Sequence, residues 1–169
     1  MLESQAKIAY LALGSNLGNK RKNVELAKFK LQNNKIEIIK SSNNYETLSW
    51  PNKKNPKFIN IALKIKTFLS PYQLLKICHI IEKELGRKMK NKNKPRTCDI
   101  DIIDYDQKII RNKSNQNLIL PHPKMHVRSF VLLPLFEITQ KWKHPEKKIE
   151  IKKLINSLNI KDLRTIKQI

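Results

Sequence analysis

Residues 58–66 alternate with period two, and a well-capped helix begins a few residues later. Ile59, Ile61, Leu63 and Ile65 fall on one face of a strand; Phe58, Asn60, Ala62 and Lys64 fall on the other. Ser70 then supplies an N-cap, Pro71 takes the first helical position and Gln73 completes a capping box. Leu74, Ile77, Cys78, Ile81 and Leu85 make the apolar stripe of that helix, and Gly86 closes it as a C-cap. A strand with one fully apolar face needs a cover, and the helix has a stripe to bury. The pair demands helices layered on a sheet.

The remaining segments extend that layer. Ile8-Ala9-Tyr10-Leu11-Ala12-Leu13 reads as a buried strand, and residues 14–19 as a turn using glycine conformations. A helix is expected over 20–32, with Val24, Ala27 and Leu31 inward, and a strand over 36–47. Residues 50–57 read as a loop, 88–94 as a basic mobile loop, 98–103 as a strand and 112–117 as a polar turn. Short helices are expected over 130–138, despite Pro134, and over 149–158. The order is strand–helix–strand–strand–helix–strand plus a C-terminal extension. This is the ferredoxin-like α+β arrangement. Its helices pack on one face of an antiparallel sheet, leaving the other free to build a site. We expect a single domain, with a core at about 7–140 and a helical extension at about 141–169.

At 169 residues the chain suits one domain. The longest apolar run, 130–136, is too short to span a bilayer, the first residues carry no signal pattern, and two cysteines frame no disulfide network. A cytoplasmic monomer without a membrane partner is expected. The formal charge of +21 invites a nucleic-acid reading. However, 29 of the 35 basic residues are Lys, in a chain dominated by Lys, Asn and Ile. That is compositional bias, and its surplus reads as a solvated face with no specific nucleic-acid partner. The informative cations are Arg87, Arg96 and Arg128, because a guanidinium fork fits phosphate oxygens in a fixed geometry.

The chemistry concentrates at Asp99-Ile100-Asp101. Residues i and i+2 of a strand point the same way, about 6.6 Å apart, so both carboxylates leave the core together. Two close carboxylates need a cation to stay ionised, and hard oxygen donors that share phosphates favour Mg²⁺. Arg96 precedes the pair and Arg87 ends the capped helix. Cations on both sides of a carboxylate pair suit a polyphosphate bridged by Mg²⁺. The Gly14-to-Lys20 segment lacks phosphate-loop spacing and is assigned no ATP. Phe58 beside Asn60 could stack on, and hydrogen-bond, a flat heterocycle. His122 is held between two prolines, while Cys78 and Cys98 read as buried thiols. An RNA-recognition sheet shares this strand order but needs a Gly- and aromatic-rich third strand, whereas Phe58-Ile59-Asn60-Ile61-Ala62-Leu63 has one aromatic and no Gly.

Together these segments resemble the 6-hydroxymethyl-7,8-dihydropterin pyrophosphokinase family of folate biosynthesis. The resemblance rests on Ala9 through Gly18, Tyr45-Glu46-Thr47, Phe58-Ile59-Asn60, Glu82 with Leu85-Gly86-Arg87, Pro95-Arg96-Thr97-Cys98-Asp99-Ile100-Asp101-Ile102, Leu120-Pro121-His122-Pro123 and Arg128-Ser129-Phe130-Val131-Leu132. It implies transfer of the β,γ-pyrophosphoryl unit of ATP to a pterin hydroxymethyl group, leaving AMP. It implies two Mg²⁺ ions on Asp99 and Asp101, with Arg87, Lys92 and Arg96 on the phosphates. Phe58 and Phe130 would sandwich the pterin, and Asn60 with Thr47 would read its edge. His122, Arg128, Glu82 and Ile102 would serve the nucleotide. The chain departs from the family at Met89, where an Arg is usual, and at Lys92-Asn93-Lys94, where Arg-Trp-Gly is usual. Lys keeps the charge but loses bidentate geometry, so a looser clamp on the transition state is expected.

Overall fold

Strand β4 (Phe58–Thr67) is the longest in the sheet and carries the alternation through. The structure is a computed structural model that describes residues 5–50, 52–87, 94–111 and 117–169. Met89, Lys92 and Asn93 of the expected loop, and residues 112–116 of the expected turn, lie outside the described residues. In chain order the elements are β1 (Lys7–Ser15), α1 (Lys20–Asn33), β2 (Glu37–Ser41), β3 (Tyr45–Thr47), β4, α2 (Pro71–Glu84), β5 (Asp99–Tyr105), α3 (Ser129–Ile138), α4 (Ile151–Asn156), α5 (Ile160–Leu163) and β6 (Lys167–Gln168). The six-stranded sheet has the order β5-β1-β4-β3-β6, and β2 pairs with the far half of β4. All its ladders are antiparallel.

One face buries Leu11, Leu13, Ile61, Leu63, Ile65, Ile100 and Ile102 against Val24, Ala27 and Leu31 of α1 and Leu74, Cys78 and Ile81 of α2. The capping box at Ser70 forms as expected: Gln73 N–H donates to Ser70 Oγ, and Ser70 N–H to Gln73 Oε1. Gly86 follows the helix with φ +90°.

The opposite face, expected to be free, is covered over its middle. Tyr10, Ala62 and Ile103 are apolar there and pack under Val131, Leu132 and Leu135 of α3 and Ile151 and Leu154 of α4. Only the sheet end carrying Gly14, Asn60 and Asp99 is left for a site. The expected strand over 36–47 is two strands. Ser42 N–H donates to Ala62 O, and Ala62 N–H donates to Ser42 Oγ, so a side chain replaces a ladder partner. Glu137 of α3 then grips the Asn43 N–H and side-chain amide and the Tyr45 hydroxyl. The helix expected over 149–158 is shorter, because Asn159 caps a separate turn, α5, by accepting from Lys161 N–H. Strand β6 beyond it carried no alternation to mark it.

Candidate active site

The antiparallel register brings the site together. Gly14 lies between Asn60 of β4 and Asp99 of β5, and Ala12 lies between Ala62 and Asp101. The pleat then sends Phe58, Asn60, Asp99 and Asp101 to one face, with two small residues of β1 as the floor between them. Gly14 is not a turn glycine: it is a strand residue, and the positive φ falls on Gly18. A Cβ at Gly14 would stand 2.9 Å from Asn60 Oδ1 and 3.4 Å from Phe58 Cδ1. Its missing side chain is what lets the two site residues sit down on β1.

Asp99 is held by two guanidinium groups. Arg87 Nη1 donates to Oδ1 at 2.6 Å and Arg96 Nη2 to Oδ2 at 2.5 Å. Arg87 also donates to Glu82 Oε1, which accepts the Ile100 N–H at 2.7 Å. Glu82 is 2% exposed, on the core side of α2. Burial pushes its carboxyl up to about 7, against the pull of the Ile100 N–H and Arg87. Burial opposes the charge on Arg87, but Asp99 and Glu82 outweigh it and hold the guanidinium protonated. Asp101 makes no Lys or Arg pair among the described residues, although its side chain is 38% exposed. Burial at the cleft floor, then the charge of Asp99, push its carboxyl up to about 6. Arg96 Nε is buried with no hydrogen-bond partner among the described residues.

His122 Nε2 lies 3.8 Å from Asp101 Oδ2. Its Nδ1 accepts the Lys124 N–H, which puts the ring proton on Nε2, towards the cleft. Burial, then Arg128, lower its pKa to about 4, so the ring is a neutral donor at pH 7.

The aromatic wall has two sides. Phe58 carries the Arg96 guanidinium over its ring at 5.0 Å, and Phe130 carries that of Arg128 at 5.5 Å. Asn60 Nδ2 donates to Thr47 Oγ1 at 2.8 Å, and both residues are buried. Phe58, Asn60, Thr47, Phe130, Asp99 and Asp101 line one cleft of about 90 Å³. The cleft thus sets an aromatic, amide-lined wall beside a carboxylate wall.

Comparison with known proteins follows this geometry. Residues 10–140 match the sequence profile of the family described as 7,8-dihydro-6-hydroxymethylpterin-pyrophosphokinase (HPPK). The 2-amino-4-hydroxy-6-hydroxymethyldihydropteridine pyrophosphokinase of Bacillus subtilis is 41% identical over 134 residues, which are 79% of this chain and 78% of that protein. The Aquifex aeolicus protein of the same name is 41% identical over 136 residues, 80% of this chain and 82% of that one. The chain belongs to the HPPK family. It also matches the folic acid synthesis protein fol1 of Pneumocystis carinii, at 39% identity over 93% of its own length, but spans only 21% of that longer protein. A Plasmodium falciparum HPPK-DHPS variant crystallised with pterin and p-hydroxybenzoate shares the fold, with TM-score 0.73 and 18% identity over 99% of this chain and 48% of that one.

The HPPK family uses ATP and Mg²⁺, and the residues present fit that ion. Asp99 and Asp101 offer carboxylate oxygens side by side in the cleft, and no group of three or more His, Cys, Asp or Glu that could hold a metal occurs among the described residues. Such a site suits an ion that keeps waters and takes its remaining oxygens from substrate phosphates.

Two of the expected nucleotide residues have side chains that lie off the open cleft in this HPPK domain. Ile102 is 4% exposed and packs in the helix-side core, because it alternates with Asp101 along β5. Its side chain cannot reach the cleft. Glu82 is enclosed beneath Arg87, where it positions that guanidinium and the start of β5 and presents no open surface to a nucleotide. Lys92 lies outside the described residues.

Asn16, which falls in the expected turn and in the family-matching segment, ties three segments of the site. Its Nδ2 donates to Ser49 Oγ and Pro56 O, its Oδ1 accepts the Arg96 N–H, and its own N–H donates to Arg96 O. A buried Asn between two hydrophobic segments carries no sequence signal of such a role. Leu48 and Trp50 also line the cleft, and Trp50 is 69% exposed.

Proposed function

We infer that this chain transfers the pyrophosphoryl unit of ATP to the hydroxymethyl group of 6-hydroxymethyl-7,8-dihydropterin, releasing AMP, in folate biosynthesis. The observation that carries the reading is a single cleft with an aromatic, amide-lined half and a carboxylate half bracketed by arginines. Phe58 and Phe130 would hold the pterin faces, and Asn60 and Thr47 its hydrogen-bonding edge. Asp99 and Asp101 would hold two Mg²⁺ ions, which would supply charge neutralisation for the triphosphate. Arg87 and Arg96 each hold Asp99 and would turn to the phosphates, with Lys92 as a further cation. The unpartnered Arg96 Nε supports that assignment.

The hydroxymethyl oxygen attacks the β-phosphorus. The bond from that phosphorus to the α,β-bridging oxygen breaks, AMP leaves with that oxygen, and the hydroxyl proton is released. The chain's own part is positioning and charge stabilisation, which dominate phosphoryl-type transfers. His122 donates a neutral N–H towards the phosphates, and Arg128 flanks both the pterin wall and the nucleotide. Glu82 braces Arg87 and would keep its guanidinium beside the phosphates once it turns from Asp99. We also read the enzyme as a cytoplasmic monomer, and a dimer mass in sedimentation would overturn the second point.

The test is AMP formation from ATP and Mg²⁺, with and without the pterin. Pterin-dependent AMP that disappears in Asp99→Ala or Asp101→Ala is expected. ATP turnover indifferent to the pterin would refute the reading.

A further inference from the structure

The family profile stops at residue 140, yet the chain beyond it folds back onto the proposed pterin pocket. Strand β6 pairs with β3 at Tyr45↔Gln168 and Glu46↔Lys167, and Ile169 N–H donates to Asn44 O at 2.9 Å. Antiparallel alternation makes Glu46 and Lys167 the next hydrogen-bonded pair. Glu46 immediately precedes Thr47, whose hydroxyl accepts from Asn60. Helix α5 acts on the same arm from another side. Lys161, Asp162 and Thr165 close a cavity of about 370 Å³ whose other walls include Thr47 to Trp50 and Arg128 to Phe130. The extension therefore pairs with β3 and walls the cavity behind the Thr47–Trp50 arm, and it makes no described hydrogen bond to the Asp99 cluster.

We propose that the segment from Asn159 to Ile169 is a positioning element of the pterin pocket, acting through its backbone on β3 and through α5 on the Thr47–Trp50 arm. Without β6, β3 is a three-residue edge strand paired on one side only. With it, the strand that presents Thr47 is paired on both sides. The residues named act through Thr47 and do not touch the substrate. The inference rests on the pterin reading above.

Two substitutions in the full chain test it. Lys167→Pro removes the ladder N–H at Glu46, whereas Lys167→Ala keeps that N–H and removes only the charge. Calorimetric titration of the pterin and the two KM values are measured for each, after wild-type protein has been shown to form AMP only with pterin. Lys167→Pro is expected to weaken pterin binding about fivefold, a size set by one lost hydrogen bond, with KM for ATP unchanged. Lys167→Ala is expected to stay within about twofold of wild type. Asn159→Ala, which uncaps α5, should shift the pterin constant in the same direction as the proline. Pterin constants unchanged in both Lys167→Pro and Asn159→Ala would overturn the proposal, as would equal losses for pterin and ATP. Failure of the wild type to form pterin-dependent AMP would instead remove the functional reading on which it rests.

Discussion

Gly14→Ala isolates the proposed pterin half of the cleft from the fold that supports it. The new methyl would stand 2.9 Å from Asn60 Oδ1, about 0.5 Å inside ordinary contact. Phe58 Cδ1, at 3.4 Å from the same point, limits escape on that side. Asn60 is pinned by its 2.8 Å bond to Thr47 Oγ1, so a shift of about 0.5 Å strains a buried hydrogen bond. Weakening such a bond costs roughly 1–2 kcal/mol, or about 5- to 30-fold in affinity. The backbone gives nothing away, because Gly14 has no positive φ and alanine lowers unfolded-state entropy by about 0.5–1 kcal/mol. The expected outcome is a 5- to 30-fold rise in pterin KM and Kd, with KM for ATP within about twofold and stability lowered by no more than about 1.5 kcal/mol. Pterin binding within twofold of wild type would refute the argument that the missing Cβ seats Asn60. A collapse of stability would refute it too, by showing that the clash is relieved through the strand.

Other outcomes follow from the same geometry. Glu82→Gln leaves an acceptor for the Ile100 N–H but removes one of the two carboxylates on Arg87, so urea unfolding should show a loss of about 1–3 kcal/mol. Asn16→Ala strands the Arg96 N–H and unties the arm at Ser49 and Pro56, which should cost about 1–3 kcal/mol and lower kcat by displacing Arg96. His144 is buried, accepts the Glu146 and Lys147 amides at Nδ1, and has its pKa lowered to about 4, first by burial and then by His126. A histidine near 6.5 when unfolded takes up its proton earlier there, so stability falls as pH drops from about 6.5 towards 4, by about 2 kcal/mol at pH 4.5. His144→Asn keeps an acceptor for those amides and removes the titration, so its stability measured at pH 7 and 4.5 should differ less than that of wild type.

The carboxylate pair and its arginines are legible in the sequence because each rests on a local rule. Strand period put Asp99 and Asp101 on one side of β5, and the same period buried Ile102, which the family resemblance had set beside the nucleotide. The capping box at Ser70 and the stripe of α2 are likewise local, and both form as read. The contacts of Gly14, Asn16 and Glu82 are not legible for the opposite reason. Their roles depend on partners such as Asn60, Arg96 and Arg87, brought near by sheet register or helix packing.

The amino-acid sequence by itself determined the order of elements, the two-layer core under α1 and α2, and the residue types that can handle a polyphosphate beside a flat ring. Periodicity and capping act within a few residues, so they survive being read along a line. Only the tertiary structure decided which face was left open, that residues 36–47 divide at Ser42, and that the extension returns to pair with β3. Those outcomes depend on which surface covers which, and on hydrogen bonds between residues distant in sequence. Antiparallel register converts such distances into contact: Gly14, Asn60 and Asp99 share one row of the sheet because β1 lies between β4 and β5.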